Sequence, residues 1–237
     1  MSFPFFYIED YRTTQNEIEL DEDTSRHIVQ VLRMKKGEQL ILTDGKGNLL
    51  TTTIADDHKK HCTVQVIDSR FTPHASRKIS IAISLLKNTS RFEWFLEKAT
   101  EVGVNEIIPL ICKRTEKQKF RSDRMKSILI SAMLQSQQVW LPLLHEPIGF
   151  ELLLRQQEIV QTCHKFIAHC MEDRVKSQLT DQPINESTII LIGPEGDFTK
   201  EEVEFAMQNN FMPVTLGGTR LRTETAGITA AILLRHI

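Results

Sequence analysis

Two glycine-containing segments near the end of the chain could bind a ligand through backbone atoms. Residues 191–199 read LIGPEGDFT, and residues 216–227 read LGGTRLRTETAG. Glycine lets a backbone approach a ligand closely, and a loop that opens a helix offers free N–H donors. Neither segment matches the dinucleotide fingerprint or the P-loop pattern. Each is equally consistent with an ordinary connection between strand and helix, and their occurrence together favours a binding site.

These segments need strands before them and helices after them, and the surrounding pattern predicts both. Apolar runs predict strands, and Ser/Thr-x-x-Glu capping boxes predict helix starts. Alternation of strands and helices implies a parallel sheet covered on both faces, with binding loops at the carboxyl ends of its strands. The predicted strands are 79–85, 106–111, 165–169, 188–192 and 213–216, and the predicted helices are 90–103 (capping box Ser90/Glu93, stop at Gly103), 123–138, 199–209 (capping box Thr199/Glu202) and 224–235.

The first seventy residues show a different pattern, of short strands around one helix. A helix is predicted at 23–33, capped by Asp23 or Thr24, and an Asp44-Gly45 pair predicts a tight turn. Short strands with tight turns suggest a small barrel. The predicted strands are 39–43, 49–54 and 63–67. A boundary within 70–78 predicts two domains, 1–72 and 73–237.

Composition restricts the class of protein. The chain has 237 residues, 41% of them hydrophobic, which is enough for globular cores. It has no run of about 18 apolar residues, so no membrane partner is expected. Four scattered cysteines favour reduced thiols in the cytoplasm over a disulfide framework.

The charge is distributed unevenly along the chain. A net charge of −2 argues against coating of nucleic acid by bulk electrostatics. Residues 77–126, however, hold twelve Lys/Arg against six Asp/Glu, with seven of the cations in 113–126. This run is either a solvated surface or a contact for an RNA backbone.

Four segments in order resemble the RsmE family of 16S rRNA (uracil-N3) methyltransferases, in the SPOUT superfamily. GPEGDF with its capping box and LGGTRLRTETA are two of them. HIVQVLRMKKGEQLILTDGKG (27–47) is similar to the family's PUA-like RNA-binding segment. KNTSRFEWFLEKATEVGVNEIIPL (87–110) is similar to its first catalytic strand–helix–strand. The resemblance covers nearly the whole chain.

The resemblance implies a fold, a cofactor and a reaction. The fold is α/β: a small PUA-like β-barrel domain, then a SPOUT-type parallel sheet with a deep trefoil knot, in a homodimer. The cofactor is S-adenosyl-L-methionine, and the reaction methylates N3 of one uridine, uridine 1498 of 16S rRNA, within the small ribosomal subunit. The implied cofactor-binding residues are Leu191, Gly193, Glu195, Gly196, Leu216, Gly217, Leu221, Arg222, Thr223 and Ala226.

The chain departs from the family pattern at two places. The family has a second glycine after GPEG, where Asp197 stands here. A positive φ is expected at that position, which Asp tolerates better than most residues. The family also has Glu-Gln-x-x-Arg in or after the second catalytic helix, whereas residues 134–138 read LQSQQ. Both the Glu and the Arg are replaced.

Removal of the N3 proton creates a uracil anion, and two residues are candidates for catalysis. Arg222 could stabilise the anion or contact an RNA phosphate; the alternative is a structural ion pair with Glu195 or Glu224. Glu195 could orient the base or accept a proton, although a role in shaping its loop is favoured.

Other polar residues are weighed for RNA or metal binding. Cys163, His164, His169 and Cys170 match no common zinc spacing, so no metal is expected. Trp94 and Trp140 are expected to pack rather than to stack on bases. The expected RNA contacts, for which a solvated surface is the alternative, are Arg26, Arg33, Lys35, Lys36, Lys87, Arg91 and Arg114.

Two rival functions remain. A non-catalytic RNA-binding or ribosome-assembly protein could keep this fold, as the replaced Glu and Arg would allow. A small-molecule transferase could use the same pocket, but the β-rich first domain and the basic run disfavour it.

Overall fold

The computed structural model describes residues 3–116, 119–171, 176–182 and 184–236. The chain divides into two compact units, one of Met1–His74 with Met133–Leu141 and one of Ala75–Ala132 with Pro142–Ile237. Lys117, in the basic run, lies outside the described residues. None of the described helices has the length and apolarity needed to cross a membrane.

The first unit is built on a five-stranded sheet. Its strands are β1 (Phe5–Tyr7), β2 (Glu17–Glu19), β3 (Gln39–Thr43), β4 (Asn48–Asp56) and β5 (Thr63–Phe71). Their order is β1-β3-β4-β5-β2, with β1 parallel to β3 and the other neighbours antiparallel. Leu40, Leu42 and Leu50 are fully buried, because alternate side chains of β3 and β4 face the core. The sequence predicted β3 to β5 and missed the three-residue β1 and β2.

The helix of the first unit differs from its prediction. Helix α1 (Glu22–Arg26) is short, and its N-cap is Asp21 rather than Asp23 or Thr24. An Asp21 carboxylate oxygen accepts a hydrogen bond from the Thr24 N–H at 2.9 Å, which satisfies a free donor of the first turn. The chain continues as a π-helix, His27–Val31, instead of the predicted α-helix to residue 33.

Residues 133–141 return to the first unit, which the sequence did not predict. The Gly47 N–H bonds to the Val139 carbonyl, and the Leu141 N–H to the Gly45 carbonyl, each at 2.9 Å. Trp140 donates its indole N–H to the Thr72 carbonyl at 3.0 Å. Gly47 has a φ of +97°, and a Cβ there would lie 2.6 Å from the Trp140 ring. Trp140 is therefore a packing residue, as predicted.

The second unit is a parallel sheet with helices on both faces, which confirms the predicted fold class. Its strand order is β11-β13-β10-β12-β6-β7-β8, with β9 also paired to β7, and every pairing is parallel. The strands are β6 (Ile79–Ser84), β7 (Glu106–Ile111), β8 (Leu143–Leu144), β9 (Ile148–Gly149), β10 (His164–Ala168), β11 (Ser177–Gln178), β12 (Thr188–Ile192) and β13 (Met212–Thr215).

The helices cover opposite faces of this sheet. On β6, Ile83 points towards Gly227 of the last helix, whereas Ala82 belongs to a buried cluster on the other face with Phe150 and Val203. The helices are α2 (Thr89–Val102), α3 (Ser122–Gln135), α4 (Phe150–Leu154), α5 (Gln157–Val160), α6 (Lys200–Gln208) and α7 (Thr223–His236), and a 3-10 turn spans Leu179–Asp181.

Two capping boxes were predicted, and one is correct. Thr199 and Glu202 form the reciprocal pair at the start of α6. The box predicted at Ser90 and Glu93 is wrong, because Asn88 caps α2 by accepting from the Ser90 N–H at 2.9 Å. Helix α2 ends as predicted at Gly103, which has a φ of +86°.

A buried carboxylate ties together the amino ends of the strands. Glu106, only 4% exposed, accepts hydrogen bonds from His145 Nε2 at 2.6 Å, from Lys78 Nζ at 2.8 Å and from the Ser80 hydroxyl. Burial alone would raise the pKa of Glu106, but these donors outweigh it and lower the pKa from 4.5 to about 2.

Candidate functional site

The carboxyl ends of β10, β12 and β13 meet at one edge of the sheet, because the three strands are parallel neighbours. A cavity open to solvent lies there. Three segments line it: the end of β10, the end of β13 with the loop that follows, and the first turns of α7. The lining residues are Ala168, His169, Cys170, Val214, Thr215, Leu216, Gly217, Thr219, Leu221 and Ala226.

The second glycine loop leaves its backbone open at this cavity. Gly217 has a φ of +141°, which side-chain-bearing residues rarely adopt, and a Cβ built there would meet nothing within 4 Å. Thr215 holds the turn through its hydroxyl, which donates to the Gly217 carbonyl at 2.9 Å. Helix α7 begins at Thr223, and its first turn closes with a 2.7 Å bond from the Ala226 N–H to the Arg222 carbonyl.

The first glycine loop is packed at Gly193 and Phe198, which are buried, while Glu195 and Gly196 between them are exposed. A Cβ on Gly193 would lie 3.0 Å from the Phe198 ring, so the close approach of the ring favours glycine. Arg114 donates from Nη1 to the Gly196 carbonyl at 2.6 Å and to the Phe198 carbonyl at 3.3 Å. The end of β7 is thereby fastened to the loop.

Asp197 adopts the positive φ expected where the family has glycine. Its φ is +65°. Its side chain compensates by accepting two hydrogen bonds at 2.8 Å, from the Phe198 N–H and from the Cys170 N–H. Because Cys170 lines the cavity, Asp197 connects the first glycine loop to the cavity wall.

Comparison with known proteins identifies the family of the chain. Residues 73–235 match a family model of RNA methyltransferase domains, and residues 20–67 match one of RNA methyltransferase PUA domains. A ribosomal RNA small subunit methyltransferase E from Rickettsia conorii is 27% identical over 99% of this chain and 96% of its own. The chain belongs to the RsmE family of RNA methyltransferases.

Solved structures support this membership. A probable rRNA-methyltransferase from Porphyromonas gingivalis is 36% identical, with a TM-score of 0.88 over 97% of this chain and 95% of its own. A ribosomal RNA small subunit methyltransferase E from Neisseria gonorrhoeae, bound to S-adenosyl methionine, is 29% identical, with a TM-score of 0.84 over 97% of this chain and 95% of its own.

The cavity contains some of the residues that the RsmE resemblance implied. Leu216, Gly217, Leu221 and Ala226 line it. The other predicted cofactor residues are not among its lining: Leu191 is fully buried in β12, Gly193, Glu195 and Gly196 belong to the packed first loop, Arg222 is exposed, and Thr223 is buried at the start of α7.

The sequence did not assign the residues after β10 to this cavity. Ala168, His169 and Cys170 lie there because β10 runs between β12 and β13. The signal available was that β10 is a parallel strand, whose end must reach the same edge as the two glycine loops. Its position beside both of them becomes visible only in the sheet order.

Glu195 and Arg222 have different surroundings. Glu195 is exposed, and its Oε1 accepts from the Lys87 N–H at 3.1 Å, which fixes the loop to the segment after β6. Arg222 is exposed, and no described carboxylate pairs with its guanidinium. Glu224 is 7% exposed, and its Oε1 instead lies 3.6 Å from Arg91 Nε. The alternative of an ion pair between Arg222 and Glu195 or Glu224 is absent from the described part of the chain.

The expected RNA-contacting cations fall into two groups. Arg33 and Lys36 are exposed and form no ion pair with any described residue. The others are engaged within the protein: Arg26 with Glu22 at 2.7 Å, Lys35 with Asp57 at 3.5 Å, Lys87 with Glu116 at 2.8 Å, Arg91 with Glu224 and Arg114 with the first glycine loop.

The histidines and cysteines considered for zinc do not form a metal-binding cluster in the described structure. Within the described ranges, no three or more His, Cys, Asp or Glu residues are placed to hold a metal ion. The His164 ring stacks parallel to Phe166, and His169 Nδ1 accepts from the Met171 N–H at 3.2 Å.

Proposed function

We propose that this chain transfers the methyl group of S-adenosyl-L-methionine to N3 of one uridine in 16S rRNA, the family's uridine 1498, within the small ribosomal subunit. One observation carries the proposal. An open cavity with a glycine backbone lies at the shared edge of β10 and β13, in a chain similar along almost its whole length to a methyltransferase bound to S-adenosyl methionine.

The cavity fits this cofactor chemically. Val214, Leu216, Leu221 and Ala226 offer apolar surface for the adenine ring. The open backbone at Gly217 can bond the adenine edge or the ribose without obstruction from a side chain. When bound, the cofactor supplies an electrophilic methyl group on a sulfonium ion. We assign Leu191, Gly193, Gly196 and Thr223, the predicted residues that neither line the cavity nor act on the uridine, to the shape of the loops around it.

The chain's own residues must hold the uridine and stabilise charge. The N3 proton of uracil is weakly acidic, so its loss leaves an anion that a nearby cation favours. We assign this role to Arg222, whose guanidinium is exposed and free of carboxylates in the described structure. Glu195 positions its loop through the bond from Lys87 and keeps a second carboxylate oxygen available to orient the base or accept the proton.

The proposal includes RNA contacts, an assembly and a topology. Of the predicted RNA contacts, Arg33 and Lys36 are exposed and form no ion pair with a described residue, and we assign them to phosphates. Trp94 and Ile232, on α2 and α7, are 44% and 43% exposed; these two helices pack together and are suited to bury apolar surface in a homodimer. The deep trefoil knot and the cytoplasmic location stay predictions.

Methyl transfer from labelled S-adenosyl-L-methionine to purified small subunits lacking the modification tests the reaction. We expect label at N3 of one uridine, and about a hundredfold lower turnover for Arg222→Ala. Arg220→Ala is the matched control, because Arg220 is exposed in the same loop. Equal losses of turnover in both variants would mean that the positive charge of the loop, and not Arg222 itself, is responsible. A protein that binds the cofactor but transfers no label to the RNA would overturn the proposed substrate.

A further inference from the structure

Two adjacent apolar residues of the first unit face solvent. Val31 and Leu32 are 66% and 42% exposed, although they end the π-helix that begins at His27. A single exposed apolar residue is ordinary. A neighbouring pair on an ordered segment leaves apolar surface in water, which does not stabilise the fold.

The exposure of this pair is imposed by the residues around it. Ile28 has no exposed surface and Met34 is 8% exposed, so both ends of the segment are anchored in the core. The Leu32 N–H bonds to the His27 carbonyl at 2.9 Å, and the Met34 N–H to the Ile28 carbonyl at 3.0 Å. Arg33 has a φ of +58°. π-helical turns and left-handed non-glycine residues are both frequent at functional sites.

The apolar pair stands among cations. Arg33 follows it directly, and Lys36 lies three residues further; both are exposed and unpaired among the described residues. Apolar side chains beside free cations complement a nucleic acid, in which apolar base faces alternate with phosphates. A protein partner rich in carboxylates would match the cations but not the adjacent apolar pair.

We infer that Val31 and Leu32 form an apolar wedge that packs against unstacked bases of the RNA, while Arg33 and Lys36 hold the flanking phosphates. The inference deepens the proposed function and rests on it for the identity of the RNA. The wedge contributes binding that does not depend on salt, and the cations contribute binding that does.

The test compares two double variants. Val31→Ser with Leu32→Ser removes the wedge, and Leu152→Ser with Val160→Ser is the matched control, because those residues of the second unit are 67% and 55% exposed. The dissociation constant for protein-free 16S rRNA and for small subunits is measured over a range of salt concentrations. Thermal unfolding and the affinity for S-adenosyl-L-methionine check that the variants remain folded.

We expect the wedge variant to bind both RNA probes about tenfold more weakly, with an unchanged slope of log K against log salt. Arg33→Gln with Lys36→Gln should instead reduce that slope by about one for each cation. In methyl transfer, the wedge variant should raise the KM for subunits and leave kcat unchanged.

Three outcomes would overturn the wedge. These are unchanged binding, a loss as large in the control variant, or a loss confined to subunits and absent on protein-free rRNA, which would indicate a ribosomal protein as the partner. If the wild type binds RNA through the wedge but transfers no methyl group, the proposed function fails and the wedge stands. If the wild type methylates RNA and the wedge variant binds RNA normally, the wedge fails and the proposed function stands.

Discussion

The two glycine loops read alike in the sequence but are built differently. The first is fastened by side chains: Arg114 bonds its carbonyls, Asp197 bonds the end of β10, and Phe198 fills the space over Gly193. The second is exposed from Gly217 to Arg220, and its turn is held by the Thr215 hydroxyl. The first loop therefore supports the fold, whereas the second leaves its backbone accessible. Changes in the first should lower stability, and changes in the second should lower cofactor affinity.

Asp197→Ala should give the largest effect on stability. It removes two hydrogen bonds made by a carboxylate and places alanine at a positive φ, so we expect a loss of about 3 kcal/mol in the free energy of unfolding. Urea denaturation measures it. Asp197→Gly is the control: it loses the same bonds but relieves the backbone, and should recover about 1 kcal/mol. An Asp197→Ala variant as stable as the wild type would contradict the picture of a loop fastened by side chains.

Acidification should weaken the opposite edge of the sheet, where Glu106 accepts hydrogen bonds from three side chains. The folded pKa of Glu106 is lowered from 4.5 to about 2, so its stabilisation is present above pH 4.5 and is lost as the pH falls towards 2. We expect the free energy of unfolding to fall by about 2 kcal/mol. This value is smaller than the full pKa shift implies, because the Lys78 and His145 side chains are 47% and 37% exposed and solvent screens their interaction with Glu106.

Unfolding followed from pH 6 to pH 2.5 measures this loss, with Glu106→Gln as the variant that should lack it. At pH 7 the Glu106→Gln protein, once folded, should bind S-adenosyl-L-methionine as the wild type does. Equal acid sensitivity in both proteins would assign the loss to other carboxylates.

Alanine at the two loop glycines should separate their roles. Gly193→Ala must push the buried Phe198 ring aside and should cost about 1–2 kcal/mol of stability. Gly217→Ala strains an exposed backbone with open space around it, so the loop can shift. We expect its stability to change by less than about 0.5 kcal/mol, while the dissociation constant for S-adenosyl-L-methionine rises roughly tenfold. Calorimetric titration measures the affinity, and denaturation curves of the same variants measure the stability. A loss of affinity in Gly193→Ala together with a loss of stability in Gly217→Ala would contradict the comparison.

Hydrogen exchange should show the smallest difference. Amides of residues 216–221 should gain protection when S-adenosyl-L-methionine binds, whereas the amides of Asp197 and Phe198, which are hydrogen-bonded within the first loop, should already be slow in the free protein. Mass spectrometry of overlapping peptides resolves the two loops. Equal gains in both would mean that the first loop is also ordered by the ligand.

Local chemistry allowed much of the fold to be predicted. The bounds of β7 and β12 were predicted correctly, because each is a continuous apolar run that begins at a polar residue, Glu106 or Thr188. The stop at Gly103 was also predicted from a single residue, whereas the positive φ of Asp197 was expected from the family's glycine at that position.

The features that the sequence failed to predict depend on other residues or other strands, which a local sequence pattern does not contain. Asn88 took the N-cap of α2 from Ser90, and Glu93 was free to pair with Arg124 on another helix. Asp21 took the cap of α1, since the helix starts earlier than its apolar spacing indicated. The β10 side of the cavity depended on the order of strands, which no single segment encodes.

The return of residues 133–141 to the first unit constrains how this protein could have evolved. The chain passes between the units at residue 75, again at 133 and a third time at 142, so no single cut separates them. A gene fragment ending at residue 74 would lack Trp140 and the partners of Gly45 and Gly47. Exchange of the RNA-binding module by one recombination event would leave an incomplete half on each side, so the two units are expected to be inherited together.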